Sequence, residues 1–474
     1  MSAEFDRMTA LDLRRLIVTK QVSPVELTRH ALDRAAATQA TLNAFVTLMP
    51  DQSLAAARVA ADAVMRGAPA GLLHGLPISV KDLIAVQDVP FTSGSRVMAN
   101  NVAVADAPAV ARVRAAGAII IGKTTTSEFG CKPVGDSPLT GVTRNPWDLD
   151  RTPGGSSAGA AASVAAGITP FALATDGGGS IRIPCSFTGL AGLKGHFGRV
   201  PVWPTSATPT LAHVGPIARN VADMALLFSV IAGYDARDPA SVAGVVPDVL
   251  GMTQGSVAGL RVAYSPTLGY ARPDPAVREI IDRVAAQFES LGCHVDLVDA
   301  VFEKDPADIW TAEFYAGVGI RLRAVLEQQR EILDPAVADI LQTALSQRMA
   351  DYYTKVFERY ELRESLCRFF DIYDLLISPV LPVSSLEVGC DIPVALADRN
   401  LVSWVFYTYP FNLTGNPAGT VCAGVAADGM PVGLQIVGRG LAEGDVIRAA
   451  AAFERSQPVG YNRPPQVADR RRMT

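Results

Sequence analysis

Two serine-bearing, glycine-rich segments and one lysine hold the chemistry of this chain. Thr152-Pro-Gly-Gly-Ser-Ser-Ala-Gly159 places Ser156 after paired glycines, and Thr175-Asp-Gly-Gly-Gly-Ser-Ile-Arg-Ile-Pro184 does the same for Ser180. Upstream, Gly75-Leu-Pro-Ile-Ser-Val-Lys-Asp82 supplies Lys81. A serine hydroxyl is a weak nucleophile that needs a base. A lysine can be that base where burial lowers its pKa towards roughly 7–8. The glycines let backbone N–H groups approach a reacting carbonyl closely, as an oxyanion site requires. Other readings stay open at this level. His196 and His213 lie near the serines, so a Ser-His-Asp arrangement is not excluded, although a hydrogen-bonded structural histidine is the commoner case. Ser156 and Ser157 suit helix N-caps, and Lys81 beside Asp82 suits a solvated ion pair. Ser180 lies in Gly178-Gly-Ser-Ile-Arg182 rather than Gly-x-Ser-x-Gly, which argues against an α/β-hydrolase nucleophile elbow.

The elements that must position these residues read as alternating strands and helices. Residues 8–67 read as helical: Ser23-Pro-Val-Glu26 is a capping box with proline at the first helical position, and Gln52 to Arg66 is an alanine-rich helix former. From about residue 75, β-branched runs such as Ile78-Ser-Val80 and Ile119-Ile-Ile121 alternate with glycine-rich turns and helical stretches, the texture of buried strands in an α/β sheet. Ala158 to Ala174 suits a tightly packed helix followed by a strand. Gly259–Ser265 and Cys293–Val298 read as strands around a helix from Asp274 to Ser290. Residues 303–370 are helical and rich in aromatics. Asp374–Ser378 and Val432–Val437 return to strand, and Glu443–Glu454 is a closing helix. The expected division is an N-terminal helical segment over 1–70 packed on a main domain over 71–474, with a variable helical region at about 303–370. The basic tail Arg470-Arg-Arg472 reads as a frayed terminus.

Composition narrows the function classes. At 474 residues, with 49% hydrophobic and 19% charged residues, the chain has material for an extensive core and is not a disordered sequence. A net charge of −5 gives no electrostatic reason to expect nucleic acid or an anionic membrane. The six cysteines include no Cys-x-x-Cys pair and the five histidines are dispersed, so neither a zinc site nor a disulfide framework is expected. The start lacks a basic region followed by an apolar run, and the expectation is a soluble cytoplasmic protein. Gly117-Ala-Ile-Ile-Ile-Gly-Lys-Thr124 matches the phosphate-loop pattern by letter. Its variable positions, however, want to be a buried strand, and Thr124-Thr-Thr-Ser127 is a poor helix start. A core strand with a surface lysine at its end is the expected structure.

The segments Gly75–Asp82, Gly122-Lys-Thr124, Asn145-Pro-Trp147, Gly154-Gly-Ser-Ser157, Gly178-Gly-Ser-Ile-Arg182, Gly192-Leu-Lys194, Phe411-Asn-Leu-Thr-Gly-Asn-Pro417 and Gly433-Leu-Gln-Ile-Val-Gly438 occur in this order. With them the chain resembles the amidase signature family over most of its length. The resemblance implies an α/β fold with a large mixed β-sheet flanked by helices on both faces. It implies an amidase in which Ser180 is the nucleophile, Ser156 a bridging serine on a cis peptide bond and Lys81 the terminal base. The backbone N–H groups of Gly177, Gly178, Gly179 and Ser180 would receive the oxyanion, and no metal or organic cofactor is implied. Asp176 and Arg182 are expected to brace the loop. The implied partner is a small-molecule amide, with no nucleic acid and no membrane, and a homodimer is left open.

This sequence departs from its relatives in places. Gly177 stands where many carry threonine or isoleucine. Ala158 stands where glycine is usual, a neutral change only if φ is negative there. Gly195-His196 and Cys422 replace proline-containing patterns. Gly130 and Cys131 are the candidates for the substrate pocket wall. The aromatics at 310, 314, 315, 352 and 353 suit a pocket, or, more commonly, a core. Two alternatives to a free-standing aryl or alkyl amidase are a glutamine-hydrolysing amidotransferase component that needs partner subunits, and a relative that cleaves ureas or carbamates.

Overall fold

The chain folds around one eleven-stranded mixed sheet with helices against both faces. The computed structural model describes residues 5–458 and residue 464; the Arg470–Arg472 tail lies outside the described residues. The strands are β1 (Phe45–Leu48), β2 (Pro77–Lys81), β3 (Ile119–Thr124), β4 (Asp136–Ser137), β5 (Gly141–Val142), β6 (Phe171–Asp176), β7 (Ala191–Lys194), β8 (His213–Ala218), β9 (Arg261–Tyr264), β10 (His294–Leu297), β11 (Leu375–Pro379), β12 (Ala418–Val425) and β13 (Pro431–Gly438). β4 and β5 form a separate small hairpin, and the others follow the order β1-β3-β2-β6-β8-β7-β12-β13-β11-β9-β10. β2 runs parallel to both β3 and β6, and β9 runs parallel to β10 and β11. The remaining pairs are antiparallel.

Period-two alternation explains how both faces become covered. Phe171 and Leu173 of β6 enter one core cluster with the helices Val221–Ile231 and Glu443–Arg455. Ala172 and Ala174 enter another with the helices Ala158–Ala165 and Arg182–Thr188. In β2, Ile78 and Val80 join the first cluster. Ser79 points the opposite way, where its hydroxyl lies 3.0 Å from that of Ser163 on the helix Ala158–Ala165. Lys81, two positions on, ends the strand on the Ser79 side, beside the turn that opens that helix.

Local rules act where they were expected. Ser23 caps the helix Pro24–Leu42 by accepting from the Val25 N–H at 3.2 Å. The helix Pro275–Ser290 buries Ile280, Ile281, Val284 and Phe288 along one face. Ala158 opens its helix without a positive φ, so the glycine usual there is not needed. One expectation fails in the N-terminal segment. Besides helices it contributes β1, which pairs antiparallel with β3, so residues 45–48 extend the sheet rather than pack on it. Helical periodicity around a four-residue strand masks it.

The phosphate-loop lookalike is a strand, as its isoleucines require, and no α-helix opens after Thr124. Its lysine is not at the surface. Lys123 is wholly buried and pairs with Asp82 at 2.7 Å, while also donating to the Pro90 carbonyl at 3.2 Å. Burial pushes the Lys123 ammonium below its usual range, and Asp82 opposes the shift. Asp82 is therefore engaged away from Lys81. None of the described helices is long and apolar enough to cross a membrane. Removing one partner of such a pair leaves an uncompensated buried charge. Lys123→Met is expected to cost about 3–5 kcal/mol, read as a lowered denaturation midpoint, with part of the loss recovered in the Lys123→Met/Asp82→Asn double variant.

Candidate active site

Lys81 stands at the carboxyl end of β2, and Asp176 ends the parallel neighbour β6. Clefts beyond the carboxyl ends of parallel strands are where α/β sheets bind ligands. Between these strand ends sits the turn before the helix Ala158–Ala165, with a cis peptide bond between Gly155 and Ser156. Lys81 Nζ reaches three hydroxyls: Ser156 Oγ at 2.7 Å, Thr175 Oγ1 at 2.8 Å and Ser157 Oγ at 2.9 Å. Lys81 is completely buried, and among the described residues no carboxylate lies in direct contact with it. Burial drives its ammonium well below the usual lysine range, and the more distant charge of Asp176 only partly opposes this. The Ser157 hydroxyl donates to the Thr175 carbonyl at 3.2 Å, so towards Lys81 it can only accept. Ser157 occupies the helix N-cap position, but its side chain makes no capping bond.

Ser180 lies in the turn between β6 and the helix Arg182–Thr188. The preceding loop is fixed by a buried Asp176–Arg182 pair. Arg182 Nη2 and Nε donate to the two carboxylate oxygens at 2.9 and 3.0 Å. The same carboxylate accepts from the N–H groups of Gly179 (2.8 Å) and Ile181 (3.2 Å) and from Asn412 Nδ2 (2.9 Å). Burial alone would raise the Asp176 carboxyl, but Arg182 and these donors outweigh it and hold the group well below the usual carboxylate range. Arg182 also donates to Thr408 O, to Gln435 Oε1 and to Asn412 Oδ1 at 2.6–2.8 Å. Asn412 and Gln435 come from the two late segments singled out in the sequence, so those segments brace the serine loop from a distance.

Ser156, Ser180 and Gly130 line one cavity of about 390 Å³. Among the described residues no hydrogen bond joins the Ser156 and Ser180 hydroxyls. Gly177 also lines this cavity, whereas Gly178 lines a smaller one of about 20 Å³ shared by Ser180, Gly130 and Cys131. The Gly179 N–H is taken by Asp176, whereas those of Gly177, Gly178 and Ser180 donate to no acceptor among the described residues. Cys131 is buried, and burial raises its thiol far above the usual range. The histidine alternative does not assemble. His213 Nδ1 lies 2.8 Å from Leu211 O and 3.2 Å from Asp176 O, and neither His213 nor His196 hydrogen-bonds a site serine.

Of the aromatics, Trp310, Phe314 and Tyr315 are buried at the site, while Tyr353 is half exposed. Phe314 accounts for Gly177. A Cβ added there would lie 2.8 Å from the Phe314 ring, so this ring fills the space that a threonine or isoleucine would need. Sequence reasoning missed the part played by Thr175, which reaches Lys81, and by Phe129, whose left-handed backbone (φ 50°) lines the large cavity. No local signal marks either, since their partners are brought in by the sheet.

The Amidase family pattern matches residues 26–447. The chain is 35% identical to an acylamidase of Rhodococcus erythropolis, over 96% of this chain and 97% of that protein. It is also 35% identical to a glutamyl-tRNA(Gln) amidotransferase subunit of Symbiobacterium thermophilum, over 94% and 96% respectively. A solved bacterial aryl acylamidase of the amidase signature family superposes with a TM-score of 0.91 at 30% identity, covering 97% of this chain and 98% of that one. This chain belongs to the amidase signature family of amide-hydrolysing enzymes.

Because the Asp176 carboxylate is buried and depends on the guanidinium, Arg182→Met is expected to destabilise the fold by about 3–5 kcal/mol, seen as a lower denaturant midpoint. An unchanged midpoint would mean that the pair does not hold the loop.

Proposed function

We propose that this protein hydrolyses the amide bond of a small molecule through a serine acyl-enzyme, with Ser180 as nucleophile, Ser156 as bridge and Lys81 as base. The observation that carries this reading is a wholly buried lysine whose direct side-chain partners are all hydroxyls. A neutral amine has a lone pair to accept a proton. Ser157 cannot supply one, because its hydroxyl hydrogen is engaged with the Thr175 carbonyl. Ser156 Oγ lies 2.7 Å from Nζ, close enough to pass its proton to the amine once Lys81 is neutral. As Ser180 Oγ attacks the amide carbonyl, its proton passes to Ser156 and that of Ser156 passes to Lys81. The carbonyl oxygen becomes an oxyanion received by the N–H groups of Gly177, Gly178 and Ser180. Gly179 supports the loop through Asp176 instead. The proton then returns along the same path to the leaving nitrogen, the C–N bond breaks, and ammonia or an amine departs. Water enters, gives its proton to the relay and attacks the ester carbonyl. Collapse releases the carboxylate and restores Ser180.

The large cavity favours an apolar substrate. Its walls include Leu83, Phe91, Met98, Phe129, Trp203 and Phe314. The charged lining side chains are Asp176, already bonded to Arg182, and Arg321. A glutamine would bring an α-ammonium for which this lining has no free carboxylate. Aryl or alkyl amides are thus the favoured substrates, in keeping with the acylamidase relative. The amidotransferase relative, at equal identity, supports a second reading in which partner subunits complete the activity.

The purified chain alone is expected to release amine from aryl or alkyl amides and to leave glutamine untouched. Ammonia from glutamine only, or only with added partner subunits, would favour the second reading. Ser180→Ala is expected to abolish turnover, and Lys81→Ala to lower kcat by at least ~10²–10⁴-fold. Near-normal rates in either variant would end the serine-lysine mechanism. The pH profile has a fixed sign. Only neutral Lys81 accepts a proton, so kcat/KM is full above the Lys81 pKa and falls as pH drops through it. Because burial lowers that pKa, the acid limb is expected well below the range where free lysine titrates. A limb at pH near 10 would place Lys81 outside the relay.

A further inference from the structure

We propose that Trp310 and Thr408, two residues remote from the Ser180 loop in sequence, are positioning residues that aim the oxyanion donors of that loop; this rests on the serine-amidase reading above. Trp310 lies on the helix Ala307–Gln328 within the variable region, and Thr408 lies just before the short helix Pro410–Thr414. Trp310 Nε1–H donates to the Gly177 carbonyl at 2.8 Å. The Thr408 hydroxyl donates to the Gly178 carbonyl at 2.6 Å. In a trans peptide the C=O and the following N–H point in opposite directions. Holding the Gly177 carbonyl on the indole therefore turns the Gly178 N–H away from Trp310, and this N–H has no acceptor among the described residues. The next peptide is held at both ends, its carbonyl by Thr408 and its Gly179 N–H by Asp176 at 2.8 Å. Two adjacent peptide planes are thus set by side chains from two distant segments, one plane being left with a donor free.

The packing says the same. A Cβ at Gly177 would meet the Phe314 ring at 2.8 Å, one at Gly178 the Trp310 indole at 2.6 Å, and one at Gly179 the Thr408 hydroxyl at 2.5 Å. Each glycine is clamped by a different side chain, with no room for rotation towards it. The indole is itself immobilised. It stacks on Phe314 (centroids 4.4 Å apart, planes at 19°) and meets the edge of Tyr315, whose hydroxyl donates to the Cys131 carbonyl at 3.0 Å. Oxyanion donors act by being fixed before charge develops. A loop of three consecutive glycines has no intrinsic stiffness, so its preorganisation must be supplied from outside. Trp310 and Thr408 supply it, and neither hydrogen-bonds Ser180, Ser156 or Lys81.

The test uses the full chain and variants that keep the packing but remove the donor: Trp310→Phe, Thr408→Val and the double variant, with Thr408→Ser as the conservative control. Measured are kcat and KM on the amide that wild type turns over best, the inhibition constant of a trifluoromethyl ketone with the same acyl group, which forms a tetrahedral oxyanion adduct with a serine, and the melting temperature. The expected result is a kcat loss of roughly 10–100-fold in each single variant, below the ~10²–10³ for deleting a donor outright. KM should stay within about threefold, ketone affinity should fall in step with kcat, and Thr408→Ser should recover most of the loss. The acid limb of the pH profile should stay in place, because Lys81 is untouched. Unchanged kcat and ketone affinity in Thr408→Val and Trp310→Phe would overturn the proposal. So would a loss that appears equally in KM and in melting temperature, which would mark a merely structural role. Should Trp310→Phe not fold, the Thr408 pair decides alone. Ser180→Ala separates the two levels: full turnover in that variant sinks the serine mechanism together with this proposal, whereas a dead Ser180→Ala beside unaffected Trp310 and Thr408 variants sinks this proposal only.

Discussion

The site depends first on one buried ion pair. Asp176 and Arg182 are both removed from solvent, and between them they make the contacts that bracket Ser180 on both sides. A buried pair is not in itself a source of stability, since desolvation offsets most of the attraction. Its value here is geometric. The carboxylate spans the turn and fixes the N–H groups of Gly179 and Ile181 on either side of Ser180. The guanidinium ties the same turn to Thr408, Asn412 and β13 through Gln435. The Ser180 loop is thereby bonded to chain more than two hundred residues away.

Three buried lysines on strands of the sheet illustrate how environment distinguishes copies of one side chain. Lys123 meets a carboxylate and is a structural cation. Lys194 donates to backbone carbonyls, of Asn416 and Gly195, and burial lowers its pKa with help from Arg182. Lys81 meets hydroxyls alone. Among these three, only Lys81 bonds side chains, those of Ser156 and Thr175, that line the large cavity. Burial lowers the Lys81 pKa, and the engagement of its sequence neighbour Asp82 by Lys123 leaves that shift unopposed from this side, because an Asp82 in contact with Lys81 would favour the charged form.

The helix Ala307–Gln328 serves two ends at once. Its aromatics Trp310 and Phe314 close the core over the Ser180 loop and also line the cavities beside it. Phe314 lines both cavities beside Ser180 and takes the volume left by Gly177. A departure from the common pattern in the loop is thus matched by a ring supplied from another part of the chain.

Residue order was enough for many of the elements and for the family. Strand alternation, helix caps and turn glycines are local, and they announced the buried strands, the helices of 275–290 and 443–455, and the Gly-Ser turns that carry Ser156 and Ser180. The ordered motifs brought the amidase signature fold with them. Every question of partnership was left open. Nothing along the chain says that Asp82 pairs with Lys123 and not with Lys81, that the lysine of the phosphate-loop lookalike is buried, that residues 45–48 extend the sheet, or that Thr175, Trp310 and Thr408 converge on the site. Those outcomes depend on the register of β2 between β3 and β6 and on helices docking across hundreds of residues. Residue spacing along one chain specifies which groups are available, and only tertiary packing specifies which of them are desolvated together.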